Sequence, residues 1–228
     1  MIIGSGLIAT AFRKFSQTDD ICIFASGVSN SMCTKKDEFE REKMLLVKTL
    51  ERNQSVSSFI YFSTCSVEDP DSINTPYIKH KLEMESIVLG HLKSLIFRLP
   101  QVIGIGGNPN TLINFLCHSV KFGEDFVLWK NSSRNVIDVD DVVSIASFYI
   151  GNIIERQRII NIANPASHMI AEIVTTIEKV LKKNGVYRVV EKGAAYNIDI
   201  SEISSIIKET NVSFDEHYLE KIIKKYFI

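Results

Sequence analysis

Neither sign of charge dominates this sequence: 26 lysines and arginines against 27 aspartates and glutamates leave a formal charge of −1. No global field therefore draws the chain to nucleic acid or to an anionic bilayer, and neither is expected as a partner. Cysteine is sparse, and Cys22, Cys33, Cys65 and Cys117 show neither C-x-x-C spacing nor the density of a disulfide scaffold. That usage suits a reducing compartment. His80, His91, His118, His168 and His217 form no ligand-like spacing, so no metal is expected. No apolar run is long enough to cross a bilayer. The opening Met1-Ile2-Ile3-Gly4 has no cationic stretch before it, while Arg13 and Lys14 follow it, which makes a poor secretory signal. The expectation is a soluble cytoplasmic protein. Internal repeats, low-complexity tracts and linkers between independent domains are lacking too. With 228 residues, 45% of them hydrophobic, the chain has material for one substantial core and at most a small second lobe.

What is present alternates. Ile2-Ile3 reads as a buried strand that runs into the turn Gly4-Ser5-Gly6 and a helix start at Ala9-Thr10-Ala11. Ile21 to Phe24 is a second strand, opening into Ala25-Ser26-Gly27. Asp37 to Asn53 is an amphipathic helix with one buried stripe through Phe39, Met44, Leu46, Val47 and Leu50. Phe59-Ile60-Tyr61-Phe62, apolar on both faces, is an interior parallel strand. Pro76 suits the start of a helix running to Leu92. Leu95-Ile96-Phe97 is another buried strand, closed by Arg98-Leu99-Pro100. Gly104 to Asn110 breaks regular structure, and Thr111 to Lys121 resumes a helix. Val136 to Val143 and Ile159 to Ala163 look like strands. Beyond Pro165, helices Ala171 to Lys183 and Tyr218 to Tyr226 flank a less regular stretch.

Strands alternating with helices predict an α/β fold with a parallel sheet covered on both faces, and a ligand at the carboxyl ends of the strands. The expected division is a core over residues 1–164, in which 101–135 contribute to a substrate site, and a small, mostly helical lobe over 165–228.

Gly4-Ser5-Gly6-Leu7-Ile8-Ala9 matches G-x-G-x-x-[GA] after a strand and into a helix. In that setting the first glycine makes the turn, the second lets backbone approach a pyrophosphate, and Ala9 permits close packing of helix on strand. Phosphate would rest on the helix amino end. A glycine turn chosen for shape alone is the plain alternative. An acid that would bind the adenosine ribose is expected at the end of the next strand, yet Asp19 and Asp20 precede that strand.

Tyr77 and Lys81 lie four residues apart, on one helix face. An ammonium beside a phenol favours the phenolate and brings it towards acid/base service at neutral pH. A solvated surface pair is the alternative, since such spacing arises readily by chance. Upstream, the strand ends in Ser63-Thr64-Cys65-Ser66, from which a hydroxyl can be aimed at a carbonyl shared with the tyrosine; ordinary turn chemistry also explains it. His80, between the two key residues, points away from their face and reads as a surface histidine.

Taken in order, these pieces resemble a known family, the extended short-chain dehydrogenase/reductases, and specifically the NAD-dependent epimerase/dehydratase enzymes that modify nucleotide sugars. The resemblance runs in register from Gly4 to about Val143 and includes Ser63-Thr64-Cys65-Ser66-Val67, Arg98-Leu99-Pro100-Gln101-Val102-Ile103-Gly104 and Arg134-Asn135-Val136-Ile137-Asp138-Val139-Asp140-Asp141-Val142. It implies a Rossmann-type doubly wound sheet. The same resemblance implies that Thr64, Tyr77 and Lys81 are catalytic. Gly4, Ser5, Gly6, Leu7, Ile8, Ala25, Ser26, Gly27, Ser63 and Pro100, with Tyr77 and Lys81, would hold NAD or NADP. Ser66, Gln101 and Arg134 would bind a nucleotide-sugar substrate. Gln101 stands where the family usually has asparagine, and the fork of Arg134 suits a diphosphate.

One departure is a deletion. Only a short helix separates Gly6 from the strand ending at Ala25, where the family inserts a strand, helix and strand that supply much of the adenosine pocket. NAD and NADP are therefore not distinguished. Thr64-Cys65-Ser66 also lacks the Asp-Glu pair that resembling dehydratases carry, which favours an epimerase or ketoreductase, with a role in cell-surface polysaccharide biosynthesis. The competing reading is a non-catalytic Rossmann-like binding or regulatory module with impaired dinucleotide binding. The helices over 37–53 and 77–92 resemble the pair through which family members form homodimers. Ser29-Asn30-Ser31 and Gly104 to Asn110 either close over substrate or simply turn the chain.

Overall fold

The computed structural model describes residues 1–18, 20–151 and 157–228. In chain order the elements are β1 (Ile2–Ile3), α1 (Leu7–Ala11), β2 (Ile21–Phe24), α2 (Lys36–Arg52), β3 (Ser58–Thr64), α3 (Pro76–Leu89), β4 (Ser94–Leu99) and β5 (Gln101–Ile103). Then come α4 (Leu112–Phe122), β6 (Asp125–Trp129), β7 (Ser133–Asp138), α5 (Val139–Gly151), β8 (Arg158–Asn161) and β9 (Ser167–Met169). The chain closes with α6 (Ile170–Leu181), β10 (Val186–Val190), α7 (Ser204–Glu209) and α8 (Tyr218–Phe227).

Alternation along the short apolar runs decides the layering. Ile23, Ile60, Phe62, Leu95 and Phe97 point to one face of the main sheet, where they pack on Phe12 after α1 and on Ile145, Ala146 and Ile150 of α5. Cys22, Phe24, Phe59, Tyr61 and Ile96 point to the other, against Leu46 of α2 and Met84 and Val88 of α3. Burial of each large apolar side chain stabilises the fold by about 1.5–3 kcal/mol. A one-residue slip would reverse both faces, so the register is strongly specified.

The main sheet is parallel throughout, in the order β1-β2-β3-β4-β8. In a complete doubly wound sheet two strands lie outside the first one. Among the described residues none does, so the lacking strand-helix-strand unit leaves β1 at the sheet edge.

A second core joins residues 103–136 to the C-terminal segment: Ile103, Ile113, Leu116 and Phe126 pack with Ile173, Val174, Ile177, Leu219 and Ile223. It carries two small sheets, β5-β7-β9 and β6-β10. In the stretch that looked irregular, β10 pairs in parallel with β6. Its residues are mostly exposed, so no alternation marks it.

One expected strand is corrected. The run from Val136 to Val143 changes conformation after Asp138, whose carboxylate accepts the Asp140 N–H at 2.9 Å and starts α5. Asp140 and Asp141 in the first turn complement the helix dipole. The C-terminal α8 locks onto the same corner: Tyr218 donates to Asp141 at 2.6 Å and accepts the Asp138 N–H at 2.8 Å. No helix among the described residues is long and apolar enough to cross a membrane.

Candidate active site

A cavity of about 920 Å³ opens at the carboxyl ends of β2, β3 and β4. Its first wall is the glycine turn. Gly4 has φ +131°, and a Cβ there would lie 2.4 Å from the Ala25 carbonyl oxygen, so only glycine lets the turn press against the end of β2. Gly4 itself does not line the cavity, whereas Ser5, Gly6, Leu7 and Ile8 do. A Cβ on Gly6 would meet nothing within 4 Å, which leaves bare backbone facing open space. Ala9 is buried where helix meets sheet. A pyrophosphate fits such a cradle.

The opposite wall comes from β3 and α3. Thr75 accepts the Ile78 N–H and Pro76 occupies the first turn, which fixes where α3 begins and hence where Tyr77 stands. Tyr77 is buried and lines the cavity with Thr64, whose side chain at the end of β3 acts on its hydroxyl. Burial pushes the acidity constant of Tyr77 above its ordinary value, and the Thr64 side chain only partly opposes this. The net direction is opposite to the one expected of a phenol next to an ammonium. The reason is where Lys81 points. Its ammonium donates to the Tyr61 hydroxyl at 2.6 Å, to Glu42 Oε1 at 3.2 Å and to the Phe62 carbonyl at 3.4 Å, and makes no hydrogen bond with Tyr77.

The other expected site residues fall as follows. Ala25, Ser26, Gly27, Ser63, Ser66, Pro100, Gln101 and Arg134 all line the cavity. Ser63 turns its hydroxyl away, donating to Glu85 at 2.5 Å. The Ser66 side chain acts on the Tyr196 hydroxyl, whose acidity constant burial raises. Arg134 donates to the Ser133 carbonyl at 2.7 Å and lies 3.6 Å from the buried Asp69 carboxylate. Asp20 accepts from the Ser57 N–H at 2.9 Å, at the amino end of the sheet and so remote from the cavity. Asp19 lies outside the described residues. No described residue lining the cavity is acidic, whereas Arg41, Lys81 and Arg134 are cationic. Two of the three are paired behind the wall, Lys81 with Glu42 and Arg134 with Asp69.

Sequence reasoning missed Arg41 and the group behind Lys81. His80 is corrected: it is buried, with Nε2 3.0 Å from Glu42 Oε2 and its ring stacked on Phe39. The available signal was Glu42, an acid three residues after Phe39 and four before Leu46 on the inner stripe of α2. The two unassigned loops also line the cavity, through Ser29 and Ser31 on one side and Gly106, Gly107, Asn108 and Asn110 on the other.

The parallel sheet, the glycine turn and the cavity at the strand ends define a Rossmann-type α/β protein. The NAD dependent epimerase/dehydratase family pattern matches residues 6–163. The chain belongs to that family. UDP-glucose 4-epimerase from Bifidobacterium longum, solved with NAD+ and UDP, superposes with a TM-score of 0.72 at 16% identity, covering 96% of this chain and 78% of that one. UDP-glucuronic acid 4-epimerase from Bacillus cereus, with UDP-glucuronic acid and NAD, gives 0.71 at 19%, covering 93% and 78%. dTDP-glucose 4,6-dehydratase from Bacillus anthracis, with NAD, gives 0.70 at 15%, covering 97% and 76%. No curated protein matches the chain in sequence.

Proposed function

We propose that the chain is an NAD(P)-dependent enzyme that modifies a nucleotide sugar, as an epimerase or ketoreductase, with Tyr77 as its acid/base. The observation that carries this reading is that Tyr77 and Thr64 line the same acid-free cavity as the bare Gly6 backbone.

The dinucleotide supplies a nicotinamide that gives or takes hydride. Ser5, Gly6, Leu7 and Ile8 would hold its pyrophosphate, and Ala25, Ser26, Gly27 and Pro100 would flank the remainder. Ser63 has its hydroxyl on Glu85, so its backbone is the contact it offers. The Tyr77 hydroxyl, kept protonated by burial, would give its proton to the substrate oxygen in reduction, as negative charge develops there. Epimerisation needs it first to take the sugar hydroxyl proton, which the same burial opposes, so reduction is the direction the site favours. Thr64 shares that oxygen and orients the phenol. Lys81 contributes a fixed cation to the same wall. Gln101, Ser66 and Arg134 would hold the nucleotide diphosphate of the substrate. The absence of an Asp-Glu pair after Thr64 favours epimerisation or reduction over dehydration.

A second reading, a Rossmann-like module that binds without turnover, is favoured by β1 as the outermost strand and by the engagement of Lys81 with Glu42 and Tyr61. Fluorescence titration with NADH and NADPH separates the two. Binding that survives Tyr77→Phe, with turnover falling about 10²–10⁴-fold, supports the enzyme. Failure of both nucleotides to bind the wild type leaves the module. Lys81→Ala weakens binding under the first reading.

The exposed Met44, Leu45 and Val47 of α2 and Leu82 of α3 support a homodimer through these helices, which sedimentation would test. Four buried free thiols are in keeping with a cytoplasmic setting, and the nucleotide-sugar reading with a role in polysaccharide synthesis.

A further inference from the structure

We infer that Glu42 is a positioning residue: it fixes the Lys81 ammonium and ties it to the backbone of the loop after β2 that lines the cavity. The inference deepens the dinucleotide reading above and rests on it for its functional arm.

Glu42 is 1% exposed, and both of its carboxylate oxygens are shared. Oε1 accepts from the Tyr61 hydroxyl at 2.8 Å and from Lys81 at 3.2 Å. Oε2 accepts from the Val28 N–H at 2.7 Å and lies 3.0 Å from His80 Nε2. One side chain on α2 therefore holds the loop after β2, the middle of β3 and two positions of α3. Burial would raise its acidity constant, but the Lys81 charge and the hydrogen bonds from His80, Val28 and Tyr61 outweigh that and hold it down at about 2. The net direction keeps the group a carboxylate at neutral pH.

The consequence falls on Lys81. A lysine is a point charge on a flexible four-carbon stem with three N–H donors, and left alone it samples many positions. Here the Tyr61 hydroxyl has one proton, given to Glu42, so it can only accept from Lys81. Glu42 and Tyr61 thereby hold two of the three donors. The third reaches the Phe62 carbonyl at 3.4 Å, beyond the usual length, and is the one most easily given to a ligand hydroxyl. Gly27 makes room for this arrangement: a Cβ there would come within 3.0 Å of Glu42 Oε1 and 3.2 Å of Lys81 Nζ. Buried ion pairs are weak sources of stability, and apolar side chains would fill such a space as well. What an apolar replacement would not supply is a fixed ammonium beside the cavity.

The test uses full-length protein labelled with ¹⁵N-lysine. In the wild type the Lys81 ammonium gives a distinct, slowly exchanging Nζ signal, assigned by its loss in Lys81→Arg. Glu42→Gln, which keeps the shape and removes the charge, is expected to shift that signal or broaden it away while the backbone amide spectrum persists. It is also expected to weaken NADH or NADPH binding about fivefold or more, the loss of one charge-assisted contact. Should Glu42→Gln not fold, Tyr61→Phe removes the partner acceptor and must disturb the same signal. An unchanged ammonium signal in whichever of the two variants folds overturns the inference. Wild-type protein that binds neither nucleotide sinks the dinucleotide reading instead, and the ammonium signal still decides the link between Glu42 and Lys81.

Discussion

The Asn108 side-chain amide donates to the Ser29 hydroxyl at 2.9 Å, joining two cavity-lining loops that lie 79 positions apart in the chain. Ser29 is exposed and Asn108 half-buried, so the bond adds no more to stability than about 0.5–1.5 kcal/mol. Its value lies in holding the loops together over a ligand. Asn108→Ala is expected to leave the melting temperature within about 6 °C of wild type. Nucleotide should dissociate severalfold faster by stopped-flow fluorescence. An unchanged dissociation rate would remove the loops from the binding reaction.

The acidity of Tyr77 makes a second prediction. Burial raises it and the Thr64 side chain lowers it, so Thr64→Val leaves it higher still. Proton donation by a group whose acidity constant is raised persists through neutral pH and is lost only as pH climbs past the folded value. The basic limb of ketone reduction should therefore lie well above pH 7 and move higher in Thr64→Val. The rate in that variant falls about 10²–10³-fold from the lost oxygen contact. A limb that moves to lower pH would contradict this.

Glu42 links the site to acid stability. A free glutamate has the ordinary value 4.5 and the folded one is held at about 2. A depressed carboxyl contributes stability that is present above pH 4.5 and lost as pH falls from there towards 2. The contribution is on the order of 3 kcal/mol. Urea unfolding between pH 5 and 3 should show this loss in the wild type and a flatter dependence in Glu42→Gln. Parallel curves would be the refuting result.

Glu85, buried on α3, takes a two-pronged bond from Arg98, at 2.9 Å from Nε and 2.6 Å from the terminal nitrogen. Removing Glu85 leaves the partly exposed Arg98 only its 3.4 Å contact with Glu68, so Glu85→Ala is expected to destabilise the fold by about 1–3 kcal/mol. Arg98→Lys would not restore the fork. The readout is the urea midpoint at constant slope. A change below 1 kcal/mol would show that water replaces the carboxylate.

Much was legible because it is local. The apolar runs at Ile21–Phe24 and Phe59–Phe62 read as strands since both faces are covered, and the helices α2, α3, α4 and α6 were expected. The stripe on α2 is corrected, since Met44 and Val47 are exposed and its buried positions are Glu42, Leu46 and Thr49. β10 escaped because its partner β6 lies some sixty residues away and its own side chains are largely exposed. The strand over Val136 to Val143 was overrun because Val and Ile suit strands and buried helices alike, and the cap at Asp138 is what divides them.

By itself the sequence determined the parallel α/β sheet, the bare turn at Gly6, and the placing of Tyr77 and Lys81 on one face of one helix, all consequences of spacing along the backbone. Only the tertiary structure decided what stands opposite that face. Helical spacing states which side chains share a side but not what they meet. It took the packing of α2 and β3 against α3 to bring Tyr77 to Thr64, turn Lys81 to Glu42 and Tyr61, and bury His80.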